Sequence, residues 1–100
     1  MSDTALADKR VLITQADAFM GPALCEVFTA RGATVIASTE SLLDPAAPAV
    51  VVEAAGQVDV LVANLAIPAP TTPALEVDED EWGAVFAALV DPLPRLCRAV

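Results

Sequence analysis

Histidine and tyrosine are both absent from these 100 residues. Without histidine there is no Ser-His-Asp relay and no His-ligated metal, and without tyrosine no phenolic base, so any chemistry draws its main base from elsewhere. Basic residues are scarce, 5 against 14 acids, for a net charge of −9. That balance argues against nucleic acid and anionic lipid as partners, since both demand basic patches. No apolar run approaches the roughly 18 to 20 residues of a membrane span. The start, MSDTALADKR, lacks the apolar core of a signal peptide. A soluble, cytoplasmic protein is expected. The two cysteines, Cys25 and Cys97, suggest neither a disulfide framework nor a metal site and read as buried reduced thiols within helical patterns.

What is present is apolar and patterned. A hydrophobic content of 56% and this length suit one modest domain around a buried sheet. Residues 10–14, RVLIT, form a β-branched run suited to a strand covered on both faces. Gly21-Pro22 opens a helix, because proline in a first turn sacrifices no hydrogen bond. Leu24, Val27 and Phe28 give that helix an apolar face, and Gly32 ends it. A second strand follows over 34–38, with a short strand expected near 41–43. Asp44 as cap, Pro45 in first position and Gly56 at the end bound a second helix, within which Pro48 removes one donor. VDVLVAN, 58–64, is another interior parallel strand. Three prolines, Pro68, Pro70 and Pro73, make 66–76 a loop, of the kind that lines ligand clefts at the carboxyl ends of strands. Asp78 and Glu81 resemble a capping box. Trp82, Val85, Phe86 and Leu89 recur at core spacing beyond it, and Pro92 and Pro94 kink the helix before Leu93, Leu96, Cys97 and Val100 continue its apolar face. The order is β-α-β-(β)-α-β-α, an α/β class with a Rossmann-like doubly wound parallel sheet, and the chain is the first half of one such domain.

The run RVLIT, the turn and helix after it, DVLVANLA and the capped helix near Glu81-Trp82 resemble the short-chain dehydrogenase/reductase superfamily over nearly the whole chain. The superfamily's first turn reads Thr-Gly-x-x-x-Gly-x-Gly, its glycines letting the backbone approach a pyrophosphate at a helix amino terminus. Thr14 and Gly21 keep their places here, but Gln15 and Phe19 stand where the first two glycines should. The pattern Thr14-x4-Phe19-x-Gly21 is similar to the loop signature of halohydrin dehalogenases. The runs KRVLITQADAFMGPALCEVF and VDVLVANLAIPAP resemble the branch of that family whose loop reads Ala-Asp-Ala-aromatic-Met-Gly. Other departures agree with it. Only residues 39–57 separate the second strand from VDVLVAN, one helix fewer than a dehydrogenase carries. Glu40 is the one acid near the end of that strand. Asn-Asn-Ala-Gly appears as Ala63-Asn64-Leu65-Ala66, and Leu89 aligns near the asparagine of the dehydrogenase proton relay.

The resemblance implies cofactor-free chemistry: a Ser-Tyr-Arg set, expected beyond Val100, converts vicinal haloalcohols to epoxides with halide release, and in reverse opens epoxides with an anionic nucleophile. It also implies a homo-oligomer, a tetramer. No catalytic residue and no metal ligand then falls within the chain. Phe19 and Gly21 are candidates for the halide pocket, with Phe19 as its wall and the helix amino terminus favouring an anion; packing of Phe19 on the sheet is the alternative. Thr14 marks the loop. Asn64, Ile67 and Pro68 are candidates for the substrate pocket, against local hydrogen bonding by Asn64 and plain loop packing by the other two. Asp17 is a possible acceptor fixing the loop. Two other functions stay open: an NAD(P)-dependent reductase with a divergent glycine loop, and a non-catalytic assembly module if these residues act alone.

Overall fold

The computed structural model describes residues 5–68 and 70–100. The first four residues, read above as lacking a leader, and Ala69 of the proline-rich loop lie outside the described residues. Three parallel strands stand in the order β2-β1-β3: β1 (Arg10–Ile13), β2 (Thr34–Ala37) and β3 (Val60–Val62). Leu12 is level with Ile36 on one side and with Leu61 on the other. The helices are α1 (Gly21–Ala30), α2 (Ala47–Ala55), α3 (Glu79–Leu89) and α4 (Pro92–Ala99), with a short 3-10 turn at Ala74–Glu76.

Alternation along β1 sends its side chains to opposite faces and so builds two cores. Val11 and Ile13 pack with Ala16, Ala33, Leu24, Cys25 and Phe28 beneath α1. Leu12 faces the other way, against Val51, Val52 and Ala55 of α2 and Leu96 of α4. Helices therefore cover both faces, and the doubly wound α/β arrangement expected from the β-branched runs is present. Val27 is the exception on α1, more than half exposed; the half-buried stripe runs through Leu24, Cys25 and Phe28 instead.

Several local expectations are corrected. Residues 41–43 form no strand. Leu42, 2% exposed, turns into the core beside Leu12 and Val51, a placement that anchors the segment by burial rather than by pairing. One edge of β2 is consequently unpaired among the described residues. The second helix begins at Ala47, with Pro48 rather than Pro45 in its first turn, because that is where a residue lacking N–H is tolerated. Asp44 instead accepts the Ala46 N–H at 2.8 Å, closing a turn ahead of the helix. Gly32 and Gly56 end α1 and α2 at positive φ, as expected.

The kink expected at Pro92 is a full break between α3 and α4. Asp78 caps α3, its Oδ1 accepting the Glu81 N–H at 2.8 Å. Trp82 and Phe86 are not core residues: Trp82 is 57% exposed, and the two rings tilt against each other with centroids 5.1 Å apart. On α3 only Ala88 is buried, so no layer of the described chain covers that aromatic face. On α4 the buried positions are Pro92 and Leu96, with Ala99 packed beside them. Leu93, Cys97 and Val100 are exposed, and Cys97 is therefore not the buried thiol expected. No helix among the described residues is long and apolar enough to cross a membrane.

Candidate functional site

Strand order reverses between β1 and β3, where the chain leaves for β2 on one side and returns to β3 on the other. Crevices at such a reversal, beyond the carboxyl ends of the strands, are where open α/β sheets bind ligands. Two sequence-predicted residues, Thr14 and Asn64, meet there. Thr14 is fully buried, and its hydroxyl donates to the Asn64 carbonyl at 2.8 Å. Asn64, 7% exposed, donates from Nδ2 to the carbonyls of Gln15 and Ala18, both at 2.9 Å. These partners lie 49 and 46 residues away in sequence, so Asn64 orients the β1–α1 loop rather than its own turn. The Ala16 N–H donates to the Ser38 carbonyl at 2.9 Å, fixing the loop to the end of β2 as well.

Gln15 and Phe19 have φ of 44° and 52°. These are the left-handed angles for which glycine is the default, adopted at the two positions where the superfamily pattern has glycine. The loop has thus kept a glycine backbone while changing its side chains. Gln15 exploits the change: its Oε1 accepts the Ala66 N–H across the crevice. Sequence reading missed this role, since reach from one loop to another leaves no local signal. Phe19 is 79% exposed; it does not pack on the sheet, and its ring is free to meet a partner outside the described chain.

Gly21 is buried, and a Cβ there would come within 2.3 Å of the Ala16 carbonyl oxygen. Close packing of α1 on the loop is enough to require glycine. Its N–H donates to the Ala18 carbonyl at 2.8 Å and Pro22 has none, so the first two positions of α1 offer an anion no donor.

Beside the crevice lies a cleft of about 330 Å³, bordered by Gln15, Asp17, Glu40, Leu43, Ile67 and Pro68. Ile67 and Pro68 also border an apolar hollow of about 560 Å³ against Val85 and Ala88 of α3, so they form the wall between two cavities. Asp17 is exposed on the cleft rim. No lysine or arginine borders either cavity. Among the described residues no three His, Cys, Asp or Glu side chains converge as metal ligands.

Away from the site, Arg10 was also missed. Its Nε and Nη2 donate to the carbonyls of Gln57 and Ala55, each at 2.8 Å, and its backbone N–H to the Asp59 carboxylate at 2.8 Å. The last bond, with a further one from the Gln57 amide, holds the Asp59 carboxyl below its ordinary value.

No family model and no curated protein matches the chain. Solved structures do. A dehalogenation enzyme is 28% identical, with a TM-score of 0.80 over 94% of this chain and 48% of its own. A 3-ketoacyl-(acyl-carrier-protein) reductase from Brucella melitensis, solved with NADH, is 24% identical, with a TM-score of 0.82 over 94% of this chain and 49% of its own. A short chain dehydrogenase from Mycobacterium avium is 20% identical, with a TM-score of 0.80. The chain spans about half the length of these structures. The chain shares the Rossmann-like α/β fold of these structures, and at 28% identity it is similar to the dehalogenation enzyme.

Proposed function

We propose that this chain is the amino-terminal part of a halohydrin dehalogenase, a cofactor-independent enzyme acting on vicinal haloalcohols and epoxides. The observation that carries this is the loop Thr14-x4-Phe19-x-Gly21, in which left-handed backbone survives the loss of two glycines. The likeness to a solved dehalogenation enzyme supports it.

In the proposed reaction a phenolic base, its pKa lowered by a neighbouring arginine, takes the hydroxyl proton of the haloalcohol. The alkoxide oxygen then attacks the adjacent carbon, the new C–O bond forming as the C–halogen bond breaks, and halide leaves. The chain has no tyrosine, so that base comes from outside these residues. What the chain supplies is walls: Phe19 toward the halide, and Ile67 and Pro68 toward the carbon skeleton. Thr14 and Asn64 hold the loop that presents them. The same reading carries a tetrameric, cytoplasmic enzyme with small-molecule partners only.

The test is halide release from chlorinated and brominated vicinal alcohols, without added nicotinamide, by the longest polypeptide encoded with this chain. Release is expected to fall on Phe19→Ala. No release across several such substrates overturns the reading. A Tyr-x3-Lys pair in that polypeptide, with tight NADPH binding, replaces it by a reductase, for which Glu40 on the cleft rim, 19 residues after Gly21, is the specific support.

A further inference from the structure

Short-chain dehydrogenase/reductase folds imply a nicotinamide dinucleotide, and the residues at the strand-order reversal do not fit one. Phe19 is the conspicuous substitution, but its ring is mostly in solvent. Gln15 lies across the crevice itself. Its side chain leaves the end of β1, crosses the reversal point and accepts the Ala66 N–H just past β3. Its carbonyl accepts the Asn64 amide, which also holds Ala18. A dinucleotide bound across the reversal would have to displace this side chain and take up the Ala66 N–H in its place. The cleft left beside it, about 330 Å³, carries the carboxylates of Asp17 and Glu40 and no cation, so phosphate gains nothing from it.

We infer that Gln15, rather than Phe19, is the residue that closes this fold to dinucleotides, by clasping the β1–α1 loop to the segment after β3. The clasp confines ligands to the smaller flanking cleft, whose apolar wall and lack of cations suit an uncharged small molecule. This deepens the cofactor-independent reading above, yet its test needs no haloalcohol, so the two fail separately.

The experiment is NADH binding by calorimetry to the chain and to Gln15→Gly, Phe19→Gly and the double variant, with exchange of the Ala66 amide followed by NMR. A hydrogen bond of ordinary net strength keeps such a clasp closed roughly ten times more than open, and apparent affinity scales with the open fraction. Gln15→Gly is therefore expected to tighten NADH binding roughly tenfold and to speed Ala66 exchange by a similar factor. Phe19→Gly should change both by less than about threefold. Glycine suits the left-handed backbone at this position. Gln15→Asn, which tolerates the same φ but is one methylene too short to span the crevice, serves as the second variant and should behave alike. A gain from Phe19→Gly equal to that from Gln15→Gly overturns the inference. So does unchanged Ala66 exchange in Gln15→Gly, or faster exchange with no gain in NADH affinity in the double variant.

Discussion

The two ends of the sheet are held by different kinds of contact. At the amino ends of the strands, Arg10 reaches backbone carbonyls of Ala55 and Gln57 while Asp59 accepts its N–H, all at or near the surface. One non-glycine residue there, Asp8, is left-handed with φ 68°, but solvent can replace any one of these partners at small cost. At the carboxyl ends, buried Thr14 and Asn64 bind a loop containing two non-glycine residues in left-handed conformation. Each costs of order 1–2 kcal/mol, which the buried hydrogen bonds offset. Backbone strain persists only where its surroundings over-determine it, and such places cluster at ligand sites. Two left-handed non-glycine residues in one loop, tied to the buried polar residues Thr14 and Asn64, set the carboxyl end apart from the single exposed Asp8 at the other and make it the candidate ligand site.

If that end is as tightly determined as it looks, substitutions there should be far costlier than at the other. The largest effect is expected for Gly21→Ala, whose Cβ would meet main-chain atoms of Ala16 rather than a side chain able to move. A loss of about 3 kcal/mol or more is expected, read as a lower urea midpoint with an unchanged slope. Asn64→Leu comes next. It keeps roughly the volume but leaves the Gln15 and Ala18 carbonyls without their donor, for a loss of about 2 kcal/mol. A loss no greater than that from Arg10→Met would erase the distinction between the two ends.

Much of this division was legible in the sequence, and the failures have a common cause. Three β-branched runs located the three strands, but only β1 is buried on both faces; β2 and β3, the latter expected as an interior strand, stand at the edges of the described sheet and are at most half-buried. Gly32, Gly56 and the Asp78 cap marked helix ends, since capping is local chemistry. Thr14, Gln15, Phe19 and Gly21 stood out because a glycine pattern is specific enough for its gaps to be noticed. The misread residues depended on what lies across from them. Leu42 went to the core instead of a strand, and Trp82, Phe86 and Cys97 were placed inside by periodicity though nothing in the described chain covers them. Gln15 and Arg10 act through partners about 50 residues distant, and a single sequence does not show which loops converge.

Phe19→Gly sharpens the comparison in the opposite direction, because it should stabilise. Removing a left-handed non-glycine residue regains roughly 1–2 kcal/mol, glycine's extra chain entropy takes back about 0.5–1, and the exposed ring loses little packing. A net gain of about 0.5–1 kcal/mol is expected, measured by thermal and urea unfolding. A loss would mean that the ring is packed in solution, and the halide-wall assignment would have to explain what it packs against.

The smallest effect belongs to the amino end and appears only in acid. The Arg10 N–H, then the Gln57 amide, hold the Asp59 carboxyl below its ordinary 3.8 in the folded chain. A depressed carboxyl pKa means that the unfolded chain takes up the proton first. Its contribution is therefore fully present from the unfolded value of 3.8 up to neutrality and fades only as pH falls below 3.8 through the folded value. Asp59→Asn should flatten the acid limb of a melting-temperature profile taken from about pH 6 to about pH 2. Because the carboxylate is fully exposed, added salt should shrink what difference there is. An acid limb equally steep in the variant would assign acid sensitivity to other carboxylates, and Arg10 would then hold this end through the Ala55 and Gln57 carbonyls alone.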